Sequence, residues 1–228
     1  MQENSGIPFE SDMEPLEWAK FVVRTRSDKN YTAAFSILSE SANMGSADAE
    51  FCLGLIYARG QGVVKDLRAC KYWFERAAES GNMSAMYFLG KMYSMGHGVE
   101  KDIEKAIDLL TPPSTHGDAR AQYVLGLIYF NGETIPKDLE RAVELFTESA
   151  ESGYSESQFV LGQLYKTGYG VEKDTATAVD WLMSAALNKH KGAQILLGNM
   201  YNTGDGVPQD KEEADRWYGM YDKLISAL

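Results

Sequence analysis

Two short motifs in this chain contain residue types that perform chemistry in other proteins. Lys166-Thr167-Gly168 spells the KTG triplet of penicillin-recognising enzymes, which also need an S-x-x-K and an SDN motif. The chain has neither of these partner motifs. Gly96-His97-Gly98 contains the first two glycines of a dinucleotide loop, but no strand precedes it, as such a loop requires. Neither motif therefore predicts catalysis or a bound cofactor.

The histidines and cysteines do not form a recognisable metal or nucleophile pattern. His97, His116 and His190 are far apart and lack neighbours at ligand spacing, so we predict no metal site. Cys52 and Cys70 occupy positions that are apolar or small elsewhere in the chain, which indicates core packing rather than reactivity. A disulfide between these two cysteines is the alternative, and it depends on strict geometry.

Composition and charge favour a soluble protein with a protein partner. The chain is 44% hydrophobic and 24% charged, with a net charge of −11. This acidity disfavours nucleic acid and anionic membranes. It favours a basic protein partner, with solubility as the simpler explanation. The sequence contains no stretch long enough for a membrane span and no signal peptide. We therefore expect a cytoplasmic location, or a periplasmic or secreted one if a signal was removed.

A sequence repeat determines where the secondary-structure elements of this chain lie. A Leu-Gly pair, with a Tyr three residues after the glycine, returns every 36 residues without insertion or deletion. The five glycines are Gly54, Gly90, Gly126, Gly162 and Gly198. A fixed period of this length predicts a solenoid, in which each unit buries its apolar face against its neighbours. Such an architecture favours binding over catalysis.

Each repeat predicts two helices joined by a glycine-containing loop. In residues 49–81, apolar residues recur at helical spacing on both sides of the loop. Asp66 stands where the second helix needs an N-cap, and Gly81 stands where that helix should end. The capping position recurs as Asp102, Asp138, Asp174 and Asp210. Glycine in a helix costs about 1 kcal/mol, so we expect the small Ala or Cys face of the second helix to pack closely against it.

The first and last units depart from the pattern. In residues 15–46, Trp18 replaces the helix glycine and Asn30 stands at the capping position, which predicts a degenerate N-terminal cap. The last unit continues into a C-terminal cap helix, in which Leu224, Ile225 and Leu228 fold back or form a dimer contact. We expect residues 1–14 to be a flexible acidic segment and 15–228 to be a single solenoid. Its full units are 47–82, 83–118, 119–154, 155–190 and 191–228.

A proline pair interrupts the second full unit. Pro112 and Pro113 lie where the other units continue a helix. Proline removes a backbone donor and clashes with the preceding turn. We therefore predict that this helix stops near Leu110, followed by an irregular connection. The break is either a tolerated loop or a bend that opens a site.

The pattern resembles the Sel-one-like repeat family, a relative of the tetratricopeptide repeat. The family pattern A-x-x-x-L-G-x-x-Y-x-x-G-x-G-V-x-x-D-x-x-x-A-x-x-W-x-x-x-A-A-x-x-G is met almost throughout residues 49–81, with Cys70 in place of Ala. The resemblance implies an all-α fold, a right-handed α/α superhelix of about six antiparallel hairpins. It also implies adaptor or scaffold proteins that bind other proteins. The cysteine pairs of family members linked to β-lactams are absent here.

By the same resemblance, the first helix of each hairpin lines a concave binding groove. The residues facing it lie three before, one after, four after and five after the helix glycine. The candidate partner-binding residues are Phe51, Leu55, Tyr87, Lys91, Met95, Tyr123, Leu127, Phe130, Phe159, Gln163 and Lys166. Phe51, Tyr87, Tyr123 and Phe159 equally fit core packing. Leu127 and Phe130 are better candidates, because other repeats do not require apolar groups there.

These observations leave three classes of function. The first is a non-enzymatic adaptor or scaffold, monomeric or weakly dimeric, that binds a partner peptide or helix. The second is an inhibitor or immunity-type protein that neutralises a toxin or enzyme. The third is a hydrolase whose active site is built on the solenoid, and no group of residues in the sequence supports it.

Overall fold

The computed structural model describes residues 13–25 and 30–226, and their side chains as far as Lys223. Within these ranges the chain forms helices and turns and no strand, which confirms the predicted all-α fold. The chain divides into two compact units, residues 1–112 and 113–228.

Unit 1 contains five helices and the start of a sixth, and successive helices pack against each other as antiparallel hairpins. They are α1 (Pro15–Thr25), α2 (Tyr31–Asn43), α3 (Ala47–Arg59), α4 (Leu67–Glu79), α5 (Met83–Met95) and α6 (Ile103–Thr115), whose last residues belong to unit 2. Unit 2 packs its helices in the same way. They are α7 (Ala119–Asn131), α8 (Leu139–Glu151), α9 (Ser155–Thr167), α10 (Thr175–Leu187), α11 (Lys191–Thr203) and α12 (Lys211–Ser226).

The repeated aspartate and tyrosine close each hairpin. The Asp66 carboxylate accepts hydrogen bonds from the backbone N–H groups of Arg68 and Ala69, and the four later aspartates cap their helices in the same way. The backbone N–H of Asp66 also donates to the carbonyl of Tyr57, and this bond recurs in every full repeat. The predicted caps are therefore confirmed, and each loop is held at both ends.

The terminal units follow the prediction only in part. Trp18 is buried on α1. Asn30 precedes α2, but its side chain makes no capping hydrogen bond, because its backbone is not in the extended conformation that aims an N-cap side chain at the helix. The side chains of Leu224, Ile225 and Leu228, and residues 1–12 of the expected flexible segment, lie outside the described residues.

The helix glycines face large side chains in every full hairpin. In two hairpins the expected alanine is close as well, because the carbonyl of Ala106 or Ala178 lies 3.2 Å from a Cβ built on Gly90 or Gly162. A Cβ built on Gly126 would lie 2.6 Å from the Phe146 ring, and one on Gly162 would lie 2.6 Å from Leu182 Cγ. The same position is filled by Phe74, Leu110 and Tyr218 in the other hairpins. The close approach of the second helix is real. The missing Cβ makes room for a bulky residue one turn after the small one.

The helix α6 does not stop near Leu110, as the proline pair predicted, but continues to Thr115. Pro113 and Ser114 are buried, so continuing the helix keeps their contacts with the core. The N–H groups of Gly117 and Asp118 then bond the carbonyls of Ser114 and Pro113 and close the helix end. Proline already has a φ close to the helical value, so the cost is confined to the missing donors and the crowded preceding turn.

A buried glutamine links each hairpin of unit 2 to the helix that precedes it. The amide nitrogen of Gln158 donates to the carbonyl of Ala150 at 3.0 Å, and Gln194 bonds Ala186 in the same way. Gln122 makes the equivalent bond to Ser114. These side chains satisfy carbonyls at the end of one helix and so fix the register of the next.

Candidate functional site

Unit 2 contains an apolar cleft of about 330 Å³ between α7 and α9, with α8 beneath it. We call it the aromatic cleft. Its lining consists of Leu127, Phe130, Phe146, Val160, Gln163, Leu164, Thr167 and Tyr169. Ligand sites are typically apolar concavities of this order of size with a few polar groups at the edge.

The helix glycine of α7 determines which residues form one wall and the floor of the aromatic cleft. Leu127 and Phe130 are one and four residues after Gly126, so they share one face of the helix. Phe146 is fully buried and fills the space that Gly126 leaves open. Its ring centroid lies 6.2 Å from that of Phe130. The two rings give the cleft an aromatic floor and wall.

The far wall is one face of α9. Val160, Gln163, Leu164 and Thr167 recur at spacings of three and four residues, which places them on a single helical stripe. The Thr167 hydroxyl donates to the carbonyl of Gln163 at 2.8 Å, so its polar group is satisfied within the helix. Gln163 is exposed and places an amide group at the edge of the cleft.

Tyr169 forms the mouth of the cleft. The chain turns sharply after α9 because Gly168 adopts a left-handed conformation with φ of +76°. This turn brings the Tyr169 ring edge-on to Phe130, with 5.6 Å between the centroids and 70° between the planes. The Tyr169 side chain is 44% exposed. It offers an apolar ring and a phenol to a molecule that enters the cleft.

Lys137 adds a positive charge at the same mouth. Its ammonium donates to the Tyr169 hydroxyl at 3.2 Å. It also lies 5.9 Å from the centroid of the Phe130 ring and 5.8 Å from that of Tyr169. A cation near two ring faces is attracted by their quadrupoles. The lysine is therefore held beside the cleft, and the local charge is positive in a chain whose net charge is negative.

The same positions one repeat later form an ion pair instead. Lys166 and Asp205 lie 36 residues after Phe130 and Tyr169, and their charged groups are 2.7 Å apart. The hydrogen bond from Lys166 holds the pKa of the Asp205 carboxyl below its usual value. We call the pair of Lys166 and Asp205 the ion-pair step. The aromatic cleft thus has a polar counterpart built on the same repeat positions.

The structure places three of the predicted binding residues on the aromatic cleft, namely Leu127, Phe130 and Gln163. Two others in unit 2 pack against neighbours: Tyr123 contacts Phe146 and Tyr154, and Phe159 stacks on His190 with the centroids 4.3 Å apart. Lys166 belongs to the ion-pair step.

The predicted residues of unit 1 differ from one another in exposure and in packing. Leu55 and Tyr87 are buried. Phe51 is partly buried and packs against Phe74 and Phe88. Lys91 and Met95 are exposed on α5.

Six residues of the site are absent from the sequence-based set: Phe146, Val160, Leu164, Thr167, Tyr169 and Lys137. Tyr169 and Lys137 lie in loops, where helical periodicity gives no information about direction. Their signal is in the repeat register. Position 169 is aromatic where the next repeat has Asp205, just as Phe130 is aromatic where the next repeat has Lys166.

A wider depression of about 560 Å³ lies at the loop between α3 and α4 of unit 1. Its lining includes the charged residues Lys65, Asp66 and Arg68 together with Val63 and Val64. The Asp66 carboxylate is engaged in capping α4. This depression is lined by more charged residues than the aromatic cleft, and Tyr57 is its one aromatic lining residue.

The residues that suggested chemistry have structural roles. Cys52 and Cys70 are free thiols, and burial raises the pKa of each to about 11, which opposes thiolate formation. In the KTG triplet, Lys166 pairs with Asp205 and Gly168 ends α9. Across the described part of the chain, no cluster of His, Cys, Asp and Glu could hold a metal ion.

No helix within the described ranges has the length and apolar character needed to cross a membrane.

Comparison with known proteins identifies the repeat. The model of the Sel1 repeat matches residues 47–82, 84–112, 119–154, 155–190 and 192–220. A Sel1 repeat protein from Oxalobacter formigenes is 33% identical, with a TM-score of 0.83, over 91% of this chain and 86% of that one. No curated protein matches the chain significantly.

Two further solved structures share the architecture. The protein c5321, a protective antigen of uropathogenic Escherichia coli strains with an SLR fold, is 29% identical with a TM-score of 0.81. The alignment covers 92% of this chain but only 45% of c5321, so this chain spans less than half of that protein. The immunity protein Pa5087 from Pseudomonas aeruginosa is 17% identical with a TM-score of 0.62, over 93% of this chain and 83% of that one. At this identity the likeness concerns the fold alone.

Proposed function

Because this chain belongs to the Sel1 repeat family, whose members generally mediate protein–protein interactions, we propose that it is an adaptor that binds a partner polypeptide through the aromatic cleft. Proteins of this family are typically non-enzymatic, and we propose no catalytic role. The partner places a large apolar side chain between α7 and α9. Binding is thus assigned to one cleft rather than to the whole predicted groove.

The observation that carries this proposal is the aromatic pair at the mouth of the cleft. Phe130 and Tyr169 leave an apolar space open above the buried Phe146 ring. Burying one large apolar side chain there contributes about 1.5–3 kcal/mol. Aromatic side chains in a partly enclosed pocket are also the residues that most often dominate binding energy at protein interfaces.

The inhibitor or immunity-type function remains the second prediction. It would use the same cleft against a toxin or an enzyme, and no contact in the structure favours it over an adaptor. A cytoplasmic location and a monomeric or weakly dimeric state likewise remain predictions.

A random peptide library displayed on phage tests the proposal without knowledge of the partner. Peptides selected on the unaltered chain should share a large apolar residue. Their affinity should fall at least about tenfold in Phe130→Glu and in Leu127→Glu, because a carboxylate in the cleft opposes apolar burial. Asn202→Glu is the matched control, since it places the same charge at the same repeat position, two repeats after Phe130.

Circular dichroism must show that each variant keeps its helices and melts cooperatively. If the selected peptides bind Phe130→Glu and Leu127→Glu as tightly as the unaltered chain while both remain folded, the cleft is not the binding site. Loss of binding in Asn202→Glu of the same size would indicate a general effect of negative charge.

A further inference from the structure

We infer that the partner carries a carboxylate next to its apolar anchor and that Lys137 binds this carboxylate. The inference rests on the proposed function and names the chemistry of the partner segment: a large apolar residue beside Asp or Glu. It makes Lys137 the residue that determines specificity at the aromatic cleft.

The first support is the way Lys137 is held. Its ammonium has three donors, and the structure accounts for one of them through the Tyr169 hydroxyl. Over the residues that the structure describes, no carboxylate forms an ion pair with Lys137. The ammonium is instead kept beside two aromatic rings, at the edge of the space that the partner would fill. It is pre-positioned for an anion that the chain itself does not supply.

The second support is the equivalent lysine one repeat later. Lys173 lies 36 residues after Lys137. The pKa of the Asp205 carboxyl is lowered mainly by the hydrogen bond from Lys166, and the charge of Lys173 adds a smaller contribution. There the repeat supplies its own anion at the position that Tyr169 occupies in the aromatic cleft. The loop lysine is common to both places, whereas the carboxylate, together with the Lys166 that pairs with it, is present in only one. The partner would provide the missing carboxylate.

The physical cost of binding points the same way. A partner side chain that covers the cleft removes water from the Lys137 ammonium, and a desolvated charge without a counter-ion is unfavourable. A carboxylate repays this cost through a charge-assisted hydrogen bond. A neutral residue does not, and a basic residue adds repulsion. The cleft therefore favours an acidic segment, although the net charge of −11 by itself favours a basic partner.

Three synthetic peptides test the inference directly. Each contains one phenylalanine in a Ser/Gly background and differs only in the next residue, which is Asp, Asn or Lys. On the unaltered chain, measured by fluorescence anisotropy in low salt, the Asp peptide should bind about two- to fivefold more tightly than the Asn peptide. The Lys peptide should bind most weakly. Raising the salt to about 0.5 M should remove most of this preference, because exposed charges are then screened.

Substitutions of Lys137 show whether this lysine causes the preference for the Asp peptide. Lys137→Met should bind the Asp and Asn peptides equally. It should bind the Asn peptide at least as tightly as the unaltered chain does, because the apolar contacts remain and no ammonium is desolvated. Lys137→Glu should reverse the order and favour the Lys peptide. Lys173→Met is the matched control at the same position of the next repeat and should keep the preference for Asp.

The outcomes separate this inference from the proposed function. If Lys137→Met still prefers the Asp peptide, or if the unaltered chain binds the Lys peptide most tightly, the inference is wrong and the apolar site stands. If the Asp and Asn peptides bind the unaltered chain equally, Lys137 has no role in selection. If no phenylalanine peptide binds, and phage selection also yields no peptide sensitive to Phe130→Glu, both proposals fail together.

Discussion

The aromatic cleft and the ion-pair step of unit 2 share one backbone design and differ in chemistry. In the cleft, Phe130 meets Tyr169 edge to face, and an apolar space remains open beside them. At the equivalent positions, Lys166 and Asp205 form an ion pair 2.7 Å long. One place offers apolar surface to a partner, and the other satisfies its own charges.

This difference separates the positions that build the repeat from those free to specialise. Gly126 and Gly162 both make room for a large buried side chain, Phe146 in one hairpin and Leu182 in the next. These positions keep their roles because they hold the hairpins together. The surface positions carry no such constraint, so the repeat can place different chemistry on each unit.

Truncation of the large side chain that faces the helix glycine should have the largest effect on stability. The loss should be similar for Phe146 beneath the aromatic cleft and for Leu182 in the next hairpin. We expect Phe146→Ala to lower the free energy of unfolding by about 3–5 kcal/mol and Leu182→Ala by about 2–5 kcal/mol, since both residues are fully buried. Urea denaturation followed by circular dichroism measures both. A cost below about 1 kcal/mol for Phe146→Ala would show that the floor of the cleft is not part of the core.

The helix glycines should respond to alanine in opposite ways according to their surroundings. Gly126→Ala and Gly162→Ala should destabilise by about 1–3 kcal/mol, because the added Cβ meets a buried side chain. Gly219 in α12 has no heavy atom within 4 Å of such a Cβ. Gly219→Ala should therefore stabilise the chain by up to about 1 kcal/mol through helix propensity. Thermal melts compare the three. A stabilising Gly126→Ala would contradict the close packing.

The two places should also differ in their response to pH. The Nδ1 atom of His190 accepts a hydrogen bond from the N–H of Ala193 at the start of α11. Burial lowers the pKa of His190 below its usual value of 6.5, against an opposing effect of Glu156. Tyr154, which precedes α9, makes no side-chain cap. Of α9 and α11, only α11 therefore begins at a titratable side-chain cap, and that cap is a histidine, whereas α7 begins at the Asp118 carboxylate.

The direction follows from the lowered pKa. The contribution of His190 to stability is complete above pH 6.5 and is lost as the pH falls through the lower pKa of the folded state. We expect a loss of about 1 kcal/mol, the usual value of an N-cap. Hydrogen exchange of the first amides of α11 at decreasing pH measures it. His190→Asn, which keeps a capping acceptor, should remove the pH dependence. If the protection of these amides, corrected for the intrinsic pH dependence of exchange, does not change with pH in the unaltered chain, His190 does not have this role.

The smallest effect concerns the ion pair itself. Lys166→Met should raise the pKa of the Asp205 carboxyl towards its usual value, because the lysine hydrogen bond is the main cause of its depression. The contribution of Asp205 is lost as the pH falls through its lowered pKa, below 3.8. NMR titration of this carboxyl group measures the shift. An unchanged pKa in Lys166→Met would show that the two groups are not paired in solution.

Much of the fold could be predicted because the repeat imposes the same physical demands five times. The period located the helices, and the aspartates located their N-termini. Two predictions were incomplete or wrong: which side chains face the helix glycines, and where α6 ends at the proline pair. Periodicity cannot show that a glycine faces Phe146 rather than the smaller Ala142, since both share one face of α8. The propensity of proline likewise did not reveal that buried contacts carry α6 past Leu110.

The candidate site could be predicted only on its helical side. Leu127 and Phe130 follow from their spacing after Gly126. Tyr169 and Lys137 reach the cleft from loops whose direction depends on the turn at Gly168 and on packing between repeats. Comparison of positions 36 residues apart would have pointed to Tyr169, because it is aromatic where the next repeat has Asp205, just as Phe130 is aromatic where the next repeat has Lys166.

Exchange of the two chemistries tests the central claim most directly. Phe130→Lys with Tyr169→Asp converts the aromatic cleft into an ion pair, and Lys166→Phe with Asp205→Tyr does the reverse, each without a change in net charge. Calorimetric titration with a peptide selected on the unaltered chain should show at least about a tenfold loss of affinity for the first double variant. The second should retain its affinity. Equal binding by the unaltered chain and the first double variant would contradict the assignment of partner binding to the aromatic cleft.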